Sequence, residues 1–516
     1  MTFSFPHKLI VLMFLLPLAL TLHAQTGQCE IVDIINYPID TNTFQMVQDY
    51  GVASPRHQGR LHTGEDWHGG VGQTIGQPVR AAANGRVTYS SPRGWGRDGG
   101  VIIIEHTLPD ERIIYTQYGH IGESNTVTFP ARLSCVQAGD VIAVIADARP
   151  APHLHFEVRV SQPDVPGPGY LRGDLEDEGW RRPSQVISSI QTQLHRAYEW
   201  HVALNTYGPQ VEPLVLNTNE MLLIDGSLLR RVTNDGRVLW RQPLQSPAVG
   251  IEGYQGNPLI TYRDGTLGFV DFDGIPGESW RLEFTPSKRL PDLGLSALYY
   301  TDDEALVALS PDRREILWRL DDVIPFENSY VSGSLIALWD DTTLQLVSFD
   351  GQQVDEADLR DGVSLATAPD GDLLAYTYGG LWKIDENGEW TEAVEGVERG
   401  GGSSAVAATS DGRIYLMTDS SLFAYTAEGV PAWQATLPNP VTGRAIMRHY
   451  DGVLLILSTH GDIITLRDSG GICGFASMYG DDLARLWHEL SEDGTLRVAI
   501  GDRITGFDWE RLTNAC

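Results

Sequence analysis

The stretch APHLHFEVRV (Ala151–Val160) alternates polar and apolar side chains from His153 through Leu154, His155, Phe156 and Glu157 to Val158. Alternation with period two is the pattern of a strand with one face in a core. Successive strand side chains point to opposite faces, so His153, His155 and Glu157 share one face and Leu154, Phe156 and Val158 fill the other. Residues two apart on a strand are ~7 Å apart at the backbone, which lets both imidazoles serve one site. By itself, a histidine pair of this kind is equally compatible with a solvated strand face. The rest of the chain decides between the two.

Working outward, strand and turn signals dominate. QPVRAAANGRVTYSS surrounds Asn84-Gly85, a pair that tolerates positive φ and signals a hairpin. GGVIIIEH and RIIYTQYGHI are two strands about a turn at Leu108-Pro109-Asp110, and AGDVIAVIA is another strand. The chain has 54 glycines and 13 tryptophans in 516 residues, which suits glycine turns and aromatic anchors of an all-β protein. That length also exceeds one ordinary domain.

Charge and cysteines narrow the function. A net charge of −31 excludes a polyanionic nucleic-acid partner, which requires a Lys/Arg surface. Lys8 is followed by an apolar run from Leu9 to Leu22 and then His23-Ala24-Gln25, the pattern of a secretory signal peptide (residues 1–24) cleaved after Ala24. The run is short for a spanning helix, so no membrane span is expected in the mature chain. The expected location is secreted, extracellular or in the cell envelope. Export permits disulfides, and the four cysteines pair most simply within domains, Cys29 with Cys135 and Cys473 with Cys516.

Several groups besides the HLH pair can reach one site. His62 and Asp66 are four apart, too far for one ion on a straight strand, but Thr63-Gly64 lets the chain bend. His120 follows Tyr118-Gly119 at a strand end. A hydrolytic zinc site needs three N/O ligands, an open position, a proton carrier and a stabiliser of negative charge. His62, Asp66, His120, His153 and His155 match that demand, and spacing leaves open which three hold the metal. Among the remaining histidines, His68 beside Asp66 is a minor candidate, and His57, His106, His195 and His201 lack ligand spacing.

The motifs His62-x-Gly-x-Asp66, Tyr-Gly-His120 and Pro-His153-Leu-His155-Phe-Glu, with Gly76-Gln-Pro-Val-Arg-Ala and Val136-Gln-Ala-Gly-Asp-Val-Ile between them, resemble the lysostaphin-type (LytM-type) zinc metallopeptidases. The resemblance spans about residues 45–160. It implies an antiparallel sheet domain of the duplicated hybrid motif kind. His62, Asp66 and His155 would be the zinc ligands, and His120 and His153 the catalytic histidines. The implied substrate is peptidoglycan, cut in its stem peptides or cross-bridges. Glu157 would orient a histidine or stay exposed on its strand. The chain departs from the family at Asp147-Ala148-Arg149-Pro150-Ala151, where glycine is common, and Gly94-Trp95-Gly96 either lines the groove or is packed.

After a Pro-, Gly- and acid-rich stretch from Gln162 to Arg182, helical spacing of Val186, Ile187, Ile190, Leu194, Ala197 and Tyr198 predicts one helix over about 184–203. From Pro213 onward the chain repeats. NDGRVLW (Asn234–Trp240), FDGIPGESW (Phe272–Trp280), PDRREILW (Pro311–Trp318), FDGQQV (Phe349–Val354), ENGEW (Glu386–Trp390) and AEGVPAW (Ala427–Trp433) recur every roughly 40 residues, with short strands between. That period predicts a β-propeller of about seven blades, with six or eight also compatible. The domain plan is therefore a metallopeptidase domain over 25–182, a linker helix over 183–207 and a propeller over 208–516. The turns resemble quinoprotein repeats, whose relatives bind pyrroloquinoline quinone, though no quinone site is recognisable here. The leading expectation is a zinc endopeptidase whose propeller binds or positions a ligand of unknown identity. Two alternatives are a catalytically silent peptidoglycan-binding or regulatory protein and, third, a quinoprotein dehydrogenase.

Overall fold

The computed structural model describes residues 29–514, apart from short interruptions of which 291–296 and 398–402 are the longest. The expected signal segment lies outside the described residues. The chain divides into two compact units, Met1–Arg182 and Pro183–Cys516, and is almost entirely β. Among the described residues no helix is long and apolar enough to cross a membrane.

The first unit is built on a ten-stranded antiparallel sheet. Its centre runs Glu65–His68, Leu154–Arg159, Ile113–Gly122, Gly100–Thr107 and Gly85–Ser91. The HLH strand is thus central, and all of Leu154–Arg159 is buried. The turn after Thr107 closes the expected hairpin, with the Leu108 N–H bonded to the Arg112 carbonyl. The expected hairpin at Asn84-Gly85 does not form. Pro78–Arg80 pairs with Val141–Ile145, and Gly85–Ser91 pairs with Gly100–Thr107. Asn84 has other work: its Nδ2 donates to Asp33 Oδ1 at 2.8 Å and its Oδ1 accepts from the Ala138 N–H. Those tertiary bonds outweigh the local turn preference of the pair. Cys29 and Cys135 form the expected disulfide. Cys473 is also disulfide-bonded, but the expected partner Cys516 lies outside the described residues.

The second unit is a propeller with eight four-stranded sheets among the described residues, at the upper end of the range that the sequence period allows. Each of the eight junctions between neighbouring blades has its own apolar cluster. The repeated turns explain how blades dock. Trp240, Trp318 and Trp433 each donate an indole N–H to a carbonyl in the next blade's turn, at Phe272, Phe349 and Asp468. A Cβ on the turn glycines Gly274, Gly351 or Gly470 would stand under 3 Å from those rings, so the glycine is the seat of the tryptophan. Arg314 takes the positive-φ corner where the other turns carry glycine, and its guanidinium lies 4.6 Å over Trp280.

The eighth blade corrects the linker reading. The helix ends at Leu194, and Tyr198–Ala203 is a strand pairing with Arg503–Asp508. Trp200 on that strand sits over Gly236 of the first blade. It is the docking tryptophan of the eighth repeat, placed ahead of the other seven repeats in sequence. Apolar residues at mixed spacing hid the period-two run Tyr198-Glu199-Trp200-His201-Val202, whose partner lies at the far end of the chain.

Candidate metal centre

Three short elements assemble the site. His62 ends the strand Arg60–His62, and the chain turns at Thr63-Gly64 into Glu65–His68. Gly64 crosses directly over the HLH strand. A Cβ there would lie 2.4 Å from the Phe156 carbonyl and 3.0 Å from His155 Nε2, so only glycine fits. The bend sets Asp66 opposite His155 in the ladder, and Gly119 opposite His155 on the other side.

The result is a tight triangle of donor atoms. His62 Nε2 is 3.1 Å from Asp66 Oδ1 and 3.0 Å from His155 Nδ1, and His155 Nδ1 is 2.8 Å from Asp66 Oδ1. All three side chains are buried. The other edge of each imidazole is tied down. His62 Nδ1–H donates to the Asp49 carbonyl at 3.0 Å, which turns the Nε2 lone pair toward the triangle. His155 Nε2–H donates to Glu157 Oε1 at 2.9 Å, which does the same for Nδ1. Glu157 is fully buried, so the exposed alternative for it is excluded. Thr63 Oγ1 donates to its Oε1 at 2.6 Å and Trp180 Nε1 to its Oε2 at 3.0 Å.

Electrostatics follow from this packing. Burial would raise Asp66, but hydrogen bonds from His155 and His62 hold it well below the usual carboxylate range. Burial likewise opposes charge on His155, yet its bonds to Asp66 and Glu157 raise it to about 9. A metal ion bound here would compete with a proton on His155 Nδ1. The residues fit zinc: two imidazole nitrogens and a carboxylate oxygen form a three-ligand N/O set, with both imidazoles oriented from behind.

Two further imidazoles stand beside the triangle. His120 is the extra residue of a β-bulge, because Gly100 pairs with Ile121 while Val101 pairs with Gly119. Its φ of +58° is left-handed, a region histidine visits more readily than most residues. The bulge re-aims a side chain that regular alternation would place elsewhere. Its Nδ1–H donates to the Asp98 carbonyl at 2.6 Å, leaving Nε2 as an acceptor. His153 Nδ1–H donates to the Ala151 carbonyl at 2.8 Å, and its Nε2 lies 3.5 Å from Asp66 Oδ2. The two rings are 4.4 Å apart between centroids. Burial lowers both, His120 to about 3 with help from neighbouring His153 and His155.

All five residues singled out in the sequence are thus brought together. His68 joins no such cluster, and its Nδ1 accepts from the Gly70 N–H. His106 is structural: its Nδ1–H donates to the Asn84 carbonyl and its Nε2 meets the Thr116 hydroxyl. Trp95 both packs and lines the site. Its indole N–H donates to the Gly167 carbonyl, and its ring centroid is 4.9 Å from His120 and 5.3 Å from His155. Sequence reading missed Thr63, Trp180 and Tyr170. Tyr170 stacks on His57 at 3.7 Å and lies 5.0 Å from His62, which makes the segment after Gln162 part of the rim. Nothing local in that segment marks these residues, because their role comes only from folding back.

Residues 60–166 match peptidase family M23. No curated protein matches the chain. Solved structures match over about three fifths of it. BamB from Moraxella catarrhalis is 14% identical with a TM-score of 0.43, covering 60% of this chain and 99% of its own. Sqt1 from Saccharomyces cerevisiae is 11% identical with a TM-score of 0.45, covering 61% and 99%. The computationally designed protein Ika8 is 12% identical with a TM-score of 0.44, covering 60% and 99%.

Proposed function

We propose that this chain is an exported zinc endopeptidase that hydrolyses peptide bonds in the stem peptides or cross-bridges of peptidoglycan, with its propeller as a binding platform. The observation that carries the reading is the oriented triangle of His62, Asp66 and His155 with two neutral imidazoles beside it. Zinc bound by these three ligands supplies Lewis acidity toward the scissile carbonyl and acidifies water. His120 and His153 do the rest. Each has its Nδ1 proton committed to a backbone carbonyl, so each Nε2 is free to accept. Burial keeps both neutral at pH 7, as a general base must be. The imidazole that takes the proton from water can return it to the departing amine. The other faces the developing oxyanion. Trp95 walls this side against bulk water, which strengthens each charge interaction.

The test is zinc content and muropeptide release from purified cell walls. The wild-type chain is expected to hold one zinc and to cut. H120A and H153A are expected to keep the zinc and lose cutting by 10²–10⁴-fold. A metal-free chain that binds walls without cutting them would sink the proposal in favour of a silent binding protein.

A further inference from the structure

The groups that orient His62 and His155 have partners of their own, and both lines of contact end on one tripeptide, Trp180-Arg181-Arg182. The family match covers residues 60–166, so this tripeptide lies beyond it. Trp180–Arg181 is a two-residue strand on the end of Leu154–Arg159, with Arg159 opposite Trp180 and Val158 opposite Arg181. Trp180 is buried and packs with Tyr50 and Leu175. Arg182 is the last residue of the first unit.

The first line runs to His155. Trp180 Nε1–H donates to Glu157 Oε2, and Glu157 Oε1 accepts from His155 Nε2–H. Gly167 closes the carboxylate in, since a Cβ there would stand 2.5 Å from Oε2. A buried oxygen that loses its donor in such a place is left unsatisfied, and the carboxylate must turn to repair it. The second line runs to His62, whose Nδ1–H donates to the Asp49 carbonyl. Arg182 Nη1 lies 2.5 Å from both Asp49 carboxylate oxygens, and its Nη2 donates to the Tyr50 carbonyl at 3.4 Å. Its guanidinium lies 5.5 Å over the Tyr50 ring. Arg182 therefore holds groups on both sides of the Asp49–Tyr50 peptide, whose carbonyl aims His62. The Tyr50 hydroxyl closes the loop by donating to the Trp180 carbonyl at 3.2 Å. The Asp49 and Arg182 side chains are 40% and 29% exposed, and ion pairs of that kind add little to stability. Their geometric effect is larger: two imidazoles from different strands, with ring planes 70° apart, are braced from one place.

We propose that Trp180 and Arg182 are positioning residues of the metal site, a strap that sets the mutual orientation of His62 and His155 and with it the affinity and coordination geometry of the ion. The inference rests on the zinc reading above. Neither residue meets the reacting atoms. Trp180 acts through Glu157, and Arg182 through Asp49. Outer partners of ligating histidines fix the tautomer and ring orientation, and losing one costs roughly 10–100-fold in metal affinity.

The experiment measures zinc affinity of the full chain by competition with a chelator, and the visible spectrum of the same chain loaded with cobalt(II), which reports ligand geometry. W180F keeps a ring in the cluster but removes the N–H, and R182M keeps the stem but removes the guanidinium. Each is expected to weaken zinc about tenfold or more and to shift the cobalt bands, while the melting temperature of the metal-free first unit holds. R182K is expected to recover most of the loss, since an ammonium still pairs with Asp49. Wild-type affinity and spectrum in either single variant overturns the proposal. So does a loss of affinity that only tracks a lower metal-free melting temperature. A wild-type chain that takes up neither metal sinks the zinc reading itself, and the strap with it.

Discussion

The two units reach stability by opposite routes. The first unit concentrates polar groups in its interior: His62, Glu65, Asp66, His106, His155, Glu157 and Arg159 are all buried there. The propeller spreads apolar contacts over eight similar junctions, several of them docked by a repeated tryptophan. Buried polar groups are costly unless every partner is present, so the first unit should fail abruptly and locally. A repeat with nearest-neighbour interfaces should lose stability in small, distributed steps.

Four changes test that contrast. The largest effect is expected from H155A, which removes a ligand and strands Glu157 and Asp66. It should abolish zinc binding and lower hydrolysis more than ~10³-fold, while the melting of the propeller stays put by calorimetry. If zinc survives, His155 is no ligand. Next, C29S/C135S opens a link between residues 106 apart in sequence. That should destabilise the peptidase unit by about 2–4 kcal/mol in denaturant melts and leave the second transition alone. A matching shift in both transitions would break the comparison.

The third concerns pH. His106 is fully buried, and burial lowers it to about 4 against an ordinary 6.5, partly offset by its bond to Asn84. The unfolded chain therefore takes the proton first. Stability should be complete above pH 6.5 and fall as pH drops toward 4, by on the order of 3 kcal/mol. H106Q should flatten that slope in the first unit, and an unchanged slope would assign it elsewhere. The smallest is W433F. It keeps the ring on its glycine seat but removes the indole donor to Asp468, bonded at 2.6 Å. The expected loss is about 1 kcal/mol. A loss several times larger would mean that one blade controls the ring.

The same contrast explains what could be read in advance. The HLH strand, His62-x-Gly-x-Asp66 and Tyr-Gly-His120 are local patterns, and all five residues converge. The repeated turns announced a propeller, and several of them, at Gly236, Gly274, Gly351 and Gly470, are the seat of a neighbour's tryptophan. Glu157 was ambiguous because its burial depends on Trp180, which returns to cover it from beyond the strand. Asn84-Gly85 misled because tertiary hydrogen bonds claimed the asparagine. Trp200 escaped the count of repeats because it stands apart from its own blade in sequence, beside a run with helical spacing.

That displaced strand has a consequence for how the protein is made. Tyr198–Ala203 emerges early, but Arg503–Asp508, its partner, emerges only after the other seven blades. Until then the nascent ring has two open sheet edges, one at each end, and such edges invite pairing with other chains. Closing so long a loop is slow but costs little extra per added residue. A ribosome that stops short, or a protease that trims the last strands, leaves Trp200 and its neighbours without a lock. The closing strand is in effect a seal, and only a chain translated through Arg503–Asp508 receives it.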